Sequence, residues 1–226
     1  PQVRVVDAFG NTVTNAMGNV TISIVTGPIG AMLQGIRTRP LVGGVATFMD
    51  LRIDKAGDAF RLQAGYDGSI PFTVVVNSSL FSVYAGTASH LAFGTEPGRA
   101  RGGYELGQQP RIEALDAFHN VARSFSGIVS ISVSTATQSG NDHDESSPPA
   151  LLGQTVMEAV NGMATFSDLR IDRVGFHTLI STAHGLQSAR STKFWVDLPK
   201  ALVAQFSMKT TNPQTIEHGD DGENIV

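Results

Sequence analysis

The sequence predicts an all-β chain built as tandem antiparallel β-sandwiches. Three observations carry this. First, the chain says the same thing twice. Asp7-Ala8-Phe9-Gly10-Asn11 returns as Asp116-Ala117-Phe118-His119-Asn120, and Gly44-Val45-Ala46-Thr47-Phe48-Met49-Asp50-Leu51-Arg52-Ile53-Asp54 returns as Gly162-Met163-Ala164-Thr165-Phe166-Ser167-Asp168-Leu169-Arg170-Ile171-Asp172. Two matches in the same order mean a tandem repeat, which makes architecture the leading clue to function. Second, apolar and polar residues alternate at period two, and no window shows a capped period of 3.6. Third, 24 glycines and ten prolines in 226 residues supply the turns that many short strands require.

Val3 and Val5 flank Arg4 in a short strand that Asp-Ala-Phe-Gly-Asn stops. Asn19 to Val25 places Val20, Ile22 and Ile24 on one face and Thr21 and Ser23 on the other. Ile128 to Ser134 repeats this, with Ile131 and Val133 against Ser130 and Ser132. Val45 to Ile53, Phe60 to Ala64 and Phe72 to Val76 continue the series, for about seven strands per copy, the number of a two-sheet sandwich. In the turn motif, Asp7 and Asp116 are expected to bond the turn backbone, and Gly10 or Asn11 to take positive φ. His119 in place of Gly10 shifts that burden to Asn120. Phe48 and Phe166 are expected in the cores, and Gly57 and Gly175 at the turns into the next strand.

The spacing between copies locates the loops. Asp7 to Asp116 is 109 residues and Phe48 to Phe166 is 118, so nine extra residues lie between Thr135 and Gly153, in an exposed loop at 138–149. Phe81-Ser82-Val83 then matches Phe194-Trp195-Val196 at 113, so the first copy is about five residues longer between Tyr66 and Asn77. The 113 spacing continues past the join: Ala88-Ser89-His90-Leu91-Ala92-Phe93 aligns with Ala201-Leu202-Val203-Ala204-Gln205-Phe206. The expected units are 1–86, a repeat lacking its first strand; 87–198, a complete repeat; and 199–226, which opens a third repeat or is a strand donated to a neighbouring subunit. The chain is thus a window on a longer repetitive polypeptide, or its tail completes the head of the next copy.

The Asp-Ala-Phe-Gly-Asn turn after a Val-rich strand, followed by Gly-x-Ala-Thr-Phe-x-Asp-Leu-x-Ile-Asp-x-x-Gly, resembles the tandem bacterial-type immunoglobulin-like (Big) repeats. These occur in invasin- and intimin-like adhesins and in very large surface proteins. The resemblance covers essentially the whole chain. It implies immunoglobulin-like sandwiches at the cell surface or outside the cell, serving as stalks, spacers or filament units.

Composition excludes several function classes. A net charge of −4 gives no electrostatic case for nucleic acid, and the Arg37/Arg39 and Arg99/Arg101 pairs read as solvated charges. No stretch approaches the roughly 18 apolar residues of a membrane span, so no insertion is expected within this segment. With no cysteine there are no disulfides, thiolate metal sites or cysteine nucleophiles. The six histidines form no His-Glu-x-x-His, and there is no nucleophile elbow or phosphate loop. No catalytic residue and no cofactor is expected.

Two acidic runs have the oxygen donors that calcium wants: Asp142, Asp144 and Glu145, and Asp220, Asp221 and Glu223. Neither has the spacing of a known calcium loop, and both read as solvated surface. Asn19 and Asn77 head N-glycosylation sequons, but neither sequon is repeated in the other copy: 109 residues after Asn19 stands Ile128, and 113 after Asn77 stands Arg190.

The leading expectation is therefore a non-enzymatic structural module. Its partners are neighbouring copies of itself or adjacent immunoglobulin-like domains. Tyr84-Ala85-Gly86-Thr87 and Asp197-Leu198-Pro199-Lys200 are the joins, the first loosened by Gly86 and the second stiffened by Pro199. The alternative is an adhesin or carbohydrate-binding module reading glycans through loops 138–149 and 66–71. Tyr66 and Tyr104 would be its aromatic platform.

Overall fold

The computed structural model describes residues 1–68, 74–135 and 149–198. Every regular element among them is a strand. The first half holds β1 (Gln2–Arg4), β2 (Gly18–Thr26), β3 (Leu33–Gln34), β4 (Thr38–Pro40), β5 (Val45–Thr47), β6 (Arg52–Ile53), β7 (Gly57–Gly68), β8 (Val74–Asn77) and β9 (Phe81–Val83). The second half holds β10 (His90–Thr95), β11 (Ala100–Arg101), β12 (Arg111–Leu115), β13 (Ile128–Thr135), β14 (Leu151–Leu152), β15 (Val156–Glu158), β16 (Met163–Thr165), β17 (Arg170–Ile171), β18 (Gly175–Ala183), β19 (Ala189–Arg190) and β20 (Phe194–Asp197). The chain is all-β, two immunoglobulin-like antiparallel sandwiches in tandem. The short edge strands exceed the expected seven per copy.

Strands β1–β9 match β12–β20 one for one, and the match extends to register. Gln2 pairs Thr47 as Arg111 pairs Thr165, and Val3 pairs Ala46 as Ile112 pairs Ala164. Val20 pairs Tyr66 as Val129 pairs Ala183. Strands β10 and β11 have no counterpart among the described residues. The first half therefore carries a two-stranded sheet, β1-β5, where the second carries β10-β12-β16.

The main sheets are β4-β2-β7-β8 and β15-β13-β18-β20, the latter extended by the parallel pair β11-β20. Period two buries one face of each central strand: Val20 and Ile22 on β2, Val129 and Ile131 on β13. These meet Phe48 and Ala46 in one core, and Phe166 and Ala164 in the other. Phe48 is 2% and Phe166 1% exposed, as the pattern predicts.

The expected continuous strand from Val45 to Ile53 is broken into β5 and β6. Phe48 turns into the core, its N–H donating to the Pro1 carbonyl at 2.9 Å. The Asp50 carboxylate then accepts the Ile36 N–H and the Asp54 carboxylate the Met32 N–H. Asp168 and Asp172 do the same for Gln154 and Ala150. The two aspartates of the repeated Asp-Leu-Arg-Ile-Asp run thus satisfy the backbone of the facing β3 or β14 segment, a role that strand periodicity does not reveal.

Of the first copy's five-residue excess, four residues fall on the β7–β8 hairpin and one is the register shift between Gly57 and Phe60 on β7. Tyr66, Asp67 and Gly68, expected in a loop, are strand residues paired to β2. The nine-residue excess of the second copy falls between β13 and β14, and residues 138–148, including Asp142, Asp144 and Glu145, lie outside the described residues. So does 199–226, with Asp220, Asp221 and Glu223.

Candidate functional site

The repeated turn motif adopts nearly the same form in both copies. Asp7 Oδ1 accepts the Phe9 and Asn11 N–H groups, both at 2.9 Å, and Asp116 Oδ1 accepts those of Phe118 and Asn120 at 2.8 and 2.9 Å. Gly10 takes φ +85°. In the second copy His119, not Asn120, takes the left-handed conformation, at φ +62°. This corrects the expectation that the burden moves one residue along. The bonds to Asp116 on both sides hold position 119 there whatever its side chain.

The surroundings of the two turns differ. Asp7 and Asn11 are exposed and Phe9 is 90% exposed, whereas Asp116 is 3% exposed and Phe118 47%. The second turn is packed against the far end of the first half. Asn120 Oδ1 accepts the Ala56 N–H at 2.9 Å, and its Nδ2 donates to the Asp54 carbonyl at 2.9 Å. A primary amide carries an NH2 donor and a carbonyl acceptor side by side, so it pairs with a strand edge much as a peptide group does while its second N–H turns to Asp116. Aspartate could not donate, and alanine could do neither. Asp116 Oδ2 accepts the Gly86 N–H at 2.8 Å, closing the join back onto the turn. Gly86 is therefore tied down, contrary to the expectation that it loosens the join.

Asp116 holds this joint as a carboxylate. Burial opposes its ionisation, but the N–H and side-chain amide of Asn120, with the N–H groups of Gly86 and Phe118, outweigh burial and hold its pKa below the usual carboxylate value. Its contribution is present above that usual value and is lost only as pH falls through the depressed one.

Beside the joint lies an open cleft of about 950 Å³, whose walls include Lys55, Asp58, Tyr84, His119 and Arg123. At the base of β10, His90 Nδ1 is 2.9 Å from Ser89 Oγ, and His90 Nε2 is 3.1 Å from His119 Nδ1. The two rings stand edge to face at 4.9 Å. Ser89 is exposed, and its hydroxyl also lies 3.3 Å from the Leu115 carbonyl.

Among the described residues no group of three His, Asp or Glu side chains is placed to hold a metal ion. No helix among them is long and apolar enough to cross a membrane. Asn19 lies on β2 and Asn77 at the end of β8, both exposed and both in strands. Gln63 Nε2 donates to Asn77 Oδ1 at 3.1 Å. Tyr66 serves the fold, its hydroxyl donating to the Met17 carbonyl at 2.7 Å. Tyr104 is 58% exposed.

No protein-family model matches the chain, and no characterised protein matches it in sequence. Weak structural likenesses exist. One is a β-glycosidase from Bacteroides vulgatus: TM-score 0.38, 14% identity, covering 79% of this chain and 21% of that one. Another is a glycosyl hydrolase family 2 member from Bacteroides cellulosilyticus: 0.39, 9% identity, 80% and 22%. A third is the tandem Ig repeats of Dlar: 0.24, 10% identity, 82% and 91%. The chain spans about a fifth of the two hydrolases. At these scores nothing beyond a β-sandwich likeness is shared, and no activity carries over.

Proposed function

We propose that the chain is a non-enzymatic structural module of an extracellular or cell-surface stalk or filament, in which the repeated turn motif is the coupling between successive sandwiches. The observation that carries this is one motif in two states: the Asp116–Asn120 turn docked on Asp54 and Ala56, and the Asp7–Asn11 turn with the same internal bonds and an open outer face. The receiving edge is repeated too. Asp172 and Val174 stand 118 residues beyond Asp54 and Ala56. A joint whose two halves recur at both ends of a module supports head-to-tail stacking, the requirement of a stalk.

Docked backbone groups and a buried carboxylate restrict bending far more than a flexible linker does. The far join differs in one respect. The position of Gly86 is taken by Pro199, which has no N–H to give a following aspartate.

The test is the relative tumbling of the two halves, read from NMR residual dipolar couplings on the full chain. A single alignment tensor is expected, and Asn120→Ala should split it into two. Asn11→Ala removes the equivalent bonds within the first turn and should leave the single tensor intact. Two independent tensors in the unsubstituted protein would overturn the reading. The alternative, glycan recognition through the loops, loses Tyr66 from its aromatic platform, since that hydroxyl is committed to the fold, and keeps the exposed Tyr104.

A further inference from the structure

Two histidines that stand 29 residues apart meet beside the coupling turn, and no sequence motif links them. His90 opens β10, opposite Leu115 of β12. His119 lies in the Asp116–Asn120 turn that follows β12. The Ser89 N–H donates to the Leu115 carbonyl at 2.7 Å, and the Leu91 N–H to the Gln187 carbonyl at 2.8 Å, so the backbone on both sides of His90 is fixed. The fold therefore holds both histidine positions.

The turn itself asks for no histidine at 119. The bonds to Asp116 impose its left-handed φ of +62°, and the first copy fills the same place with Gly10, which adopts such a φ without strain. A side chain there costs backbone energy, and such strain concentrates where a side chain serves a site.

Ser89 sets the protons. Its hydroxyl donates to the Leu115 carbonyl, 3.3 Å away, and its oxygen accepts the Nδ1–H of His90 at 2.9 Å. That tautomer leaves the lone pair of His90 on Nε2, facing His119 Nδ1 at 3.1 Å. A hydrogen-bonded partner behind the ring is what orients an imidazole toward a metal. The separation fits as well. Two metal–nitrogen bonds of about 2.0–2.1 Å meeting at roughly 100° hold their nitrogens about 3.1 Å apart. Such an angle lies between the square-planar one of copper(II) and the tetrahedral one of zinc.

We infer that His90 Nε2 and His119 Nδ1 form a chelate for a divalent transition cation, copper(II) ahead of nickel(II) and zinc. The cation replaces the one proton the two nitrogens share. That proton passes from Nδ1 to the outward Nε2 of the exposed His119, so both rings stay neutral. Water fills the other coordination positions, since no third His, Asp or Glu among the described residues converges there. Calcium and magnesium want oxygen ligands and do not fit. The adjoining cleft carries Lys55 and Arg123 against the single acid Asp58, so the attraction comes from the nitrogen bonds and not from charge. The bound ion ties β10 to the residue before Asn120, whose amide docks on the first half.

The site goes beyond the structural-module reading and fails separately from it, because alignment tensors read the joint and metal binding reads the site. Full-length protein is titrated with copper(II) chloride in a non-coordinating buffer, followed by calorimetry and electron paramagnetic resonance. A single tight equivalent is expected, its spectrum split by two imidazole nitrogens, and excess calcium should not compete. His119→Gly installs the first copy's own turn residue and so keeps the fold. It should weaken binding by on the order of a hundredfold, the gain that a second tethered ligand brings. His90→Gln should weaken it as much, and the double variant little further, because the two act as a unit. Copper affinity unchanged in both single variants would put the ion on other histidines and overturn the site. Losses that simply add in the double variant, or coupling to one nitrogen only, would overturn the chelate.

Discussion

His177 is the one buried histidine among the described residues, 2% exposed, and its place in the first half is taken by Phe60. The two residues hold equivalent pairings, Phe60 with Phe81 and His177 with Phe194. Phe60 stacks on Phe81 at 5.8 Å, while His177 donates Nε2–H to the Arg173 carbonyl at 2.8 Å and leaves Nδ1 without a partner among the described residues. Burial depresses its pKa, against the opposing pull of the Arg173 carbonyl and Asp172. The folded protein therefore binds this proton less readily than the unfolded chain. Its contribution is complete above the ordinary histidine pKa near 6.5 and is lost as pH falls from there through the depressed value. His177→Phe borrows the first copy's solution and should flatten the acid-side loss of thermal stability below that pH. Calorimetry across the acid range reads it, and an unchanged slope would mean that His177 is not the titrating group. At this scale the sequence reading placed Asp7, Asp116, Phe48 and Phe166 correctly, because turn chemistry and core periodicity are local. It missed Asn120, whose partners at Asp54 and Ala56 lie more than sixty residues away. The one available signal was that Asn11 and Asn120 repeat while the residue before each does not.

Strands were legible where alternation is strict and illegible where side chains serve the backbone. β2 and β13 fall close to their expected places, whereas the Val45–Ile53 run breaks because Asp50 and Asp54 face the β3 backbone rather than alternating with solvent. The break needs a tight approach, and glycine supplies it. Gly35 at φ +97° and Gly153 at φ +99° are equivalent, and a Cβ on either would run into the carbonyl oxygen of Asp50 or Asp168. Gly153→Ala therefore adds a left-handed penalty of about 1–2 kcal/mol to a backbone clash. The second half should melt lower by at least roughly 4–8 °C, the shift of one kcal/mol in a domain of this size. The first half should be unmoved. A matching loss in both halves would show that they unfold as one unit. Gly35→Ala is the mirror experiment, with the halves exchanged.

The two halves share a plan and differ in the size of their cores, and that difference sets how the whole molecule should unfold. Among the described residues the second core gathers fifteen buried apolar residues in one cluster and the first gathers five, with Phe60 buried apart from them. Apolar burial is the main favourable term in folding, so the first half should give the lower of two calorimetric transitions. Gly153→Ala lowers the upper transition alone and should bring the two closer together, whereas Gly35→Ala lowers the lower one and should draw them apart. A single transition in the unsubstituted protein would show instead that the Asn120 joint couples the two halves into one cooperative unit.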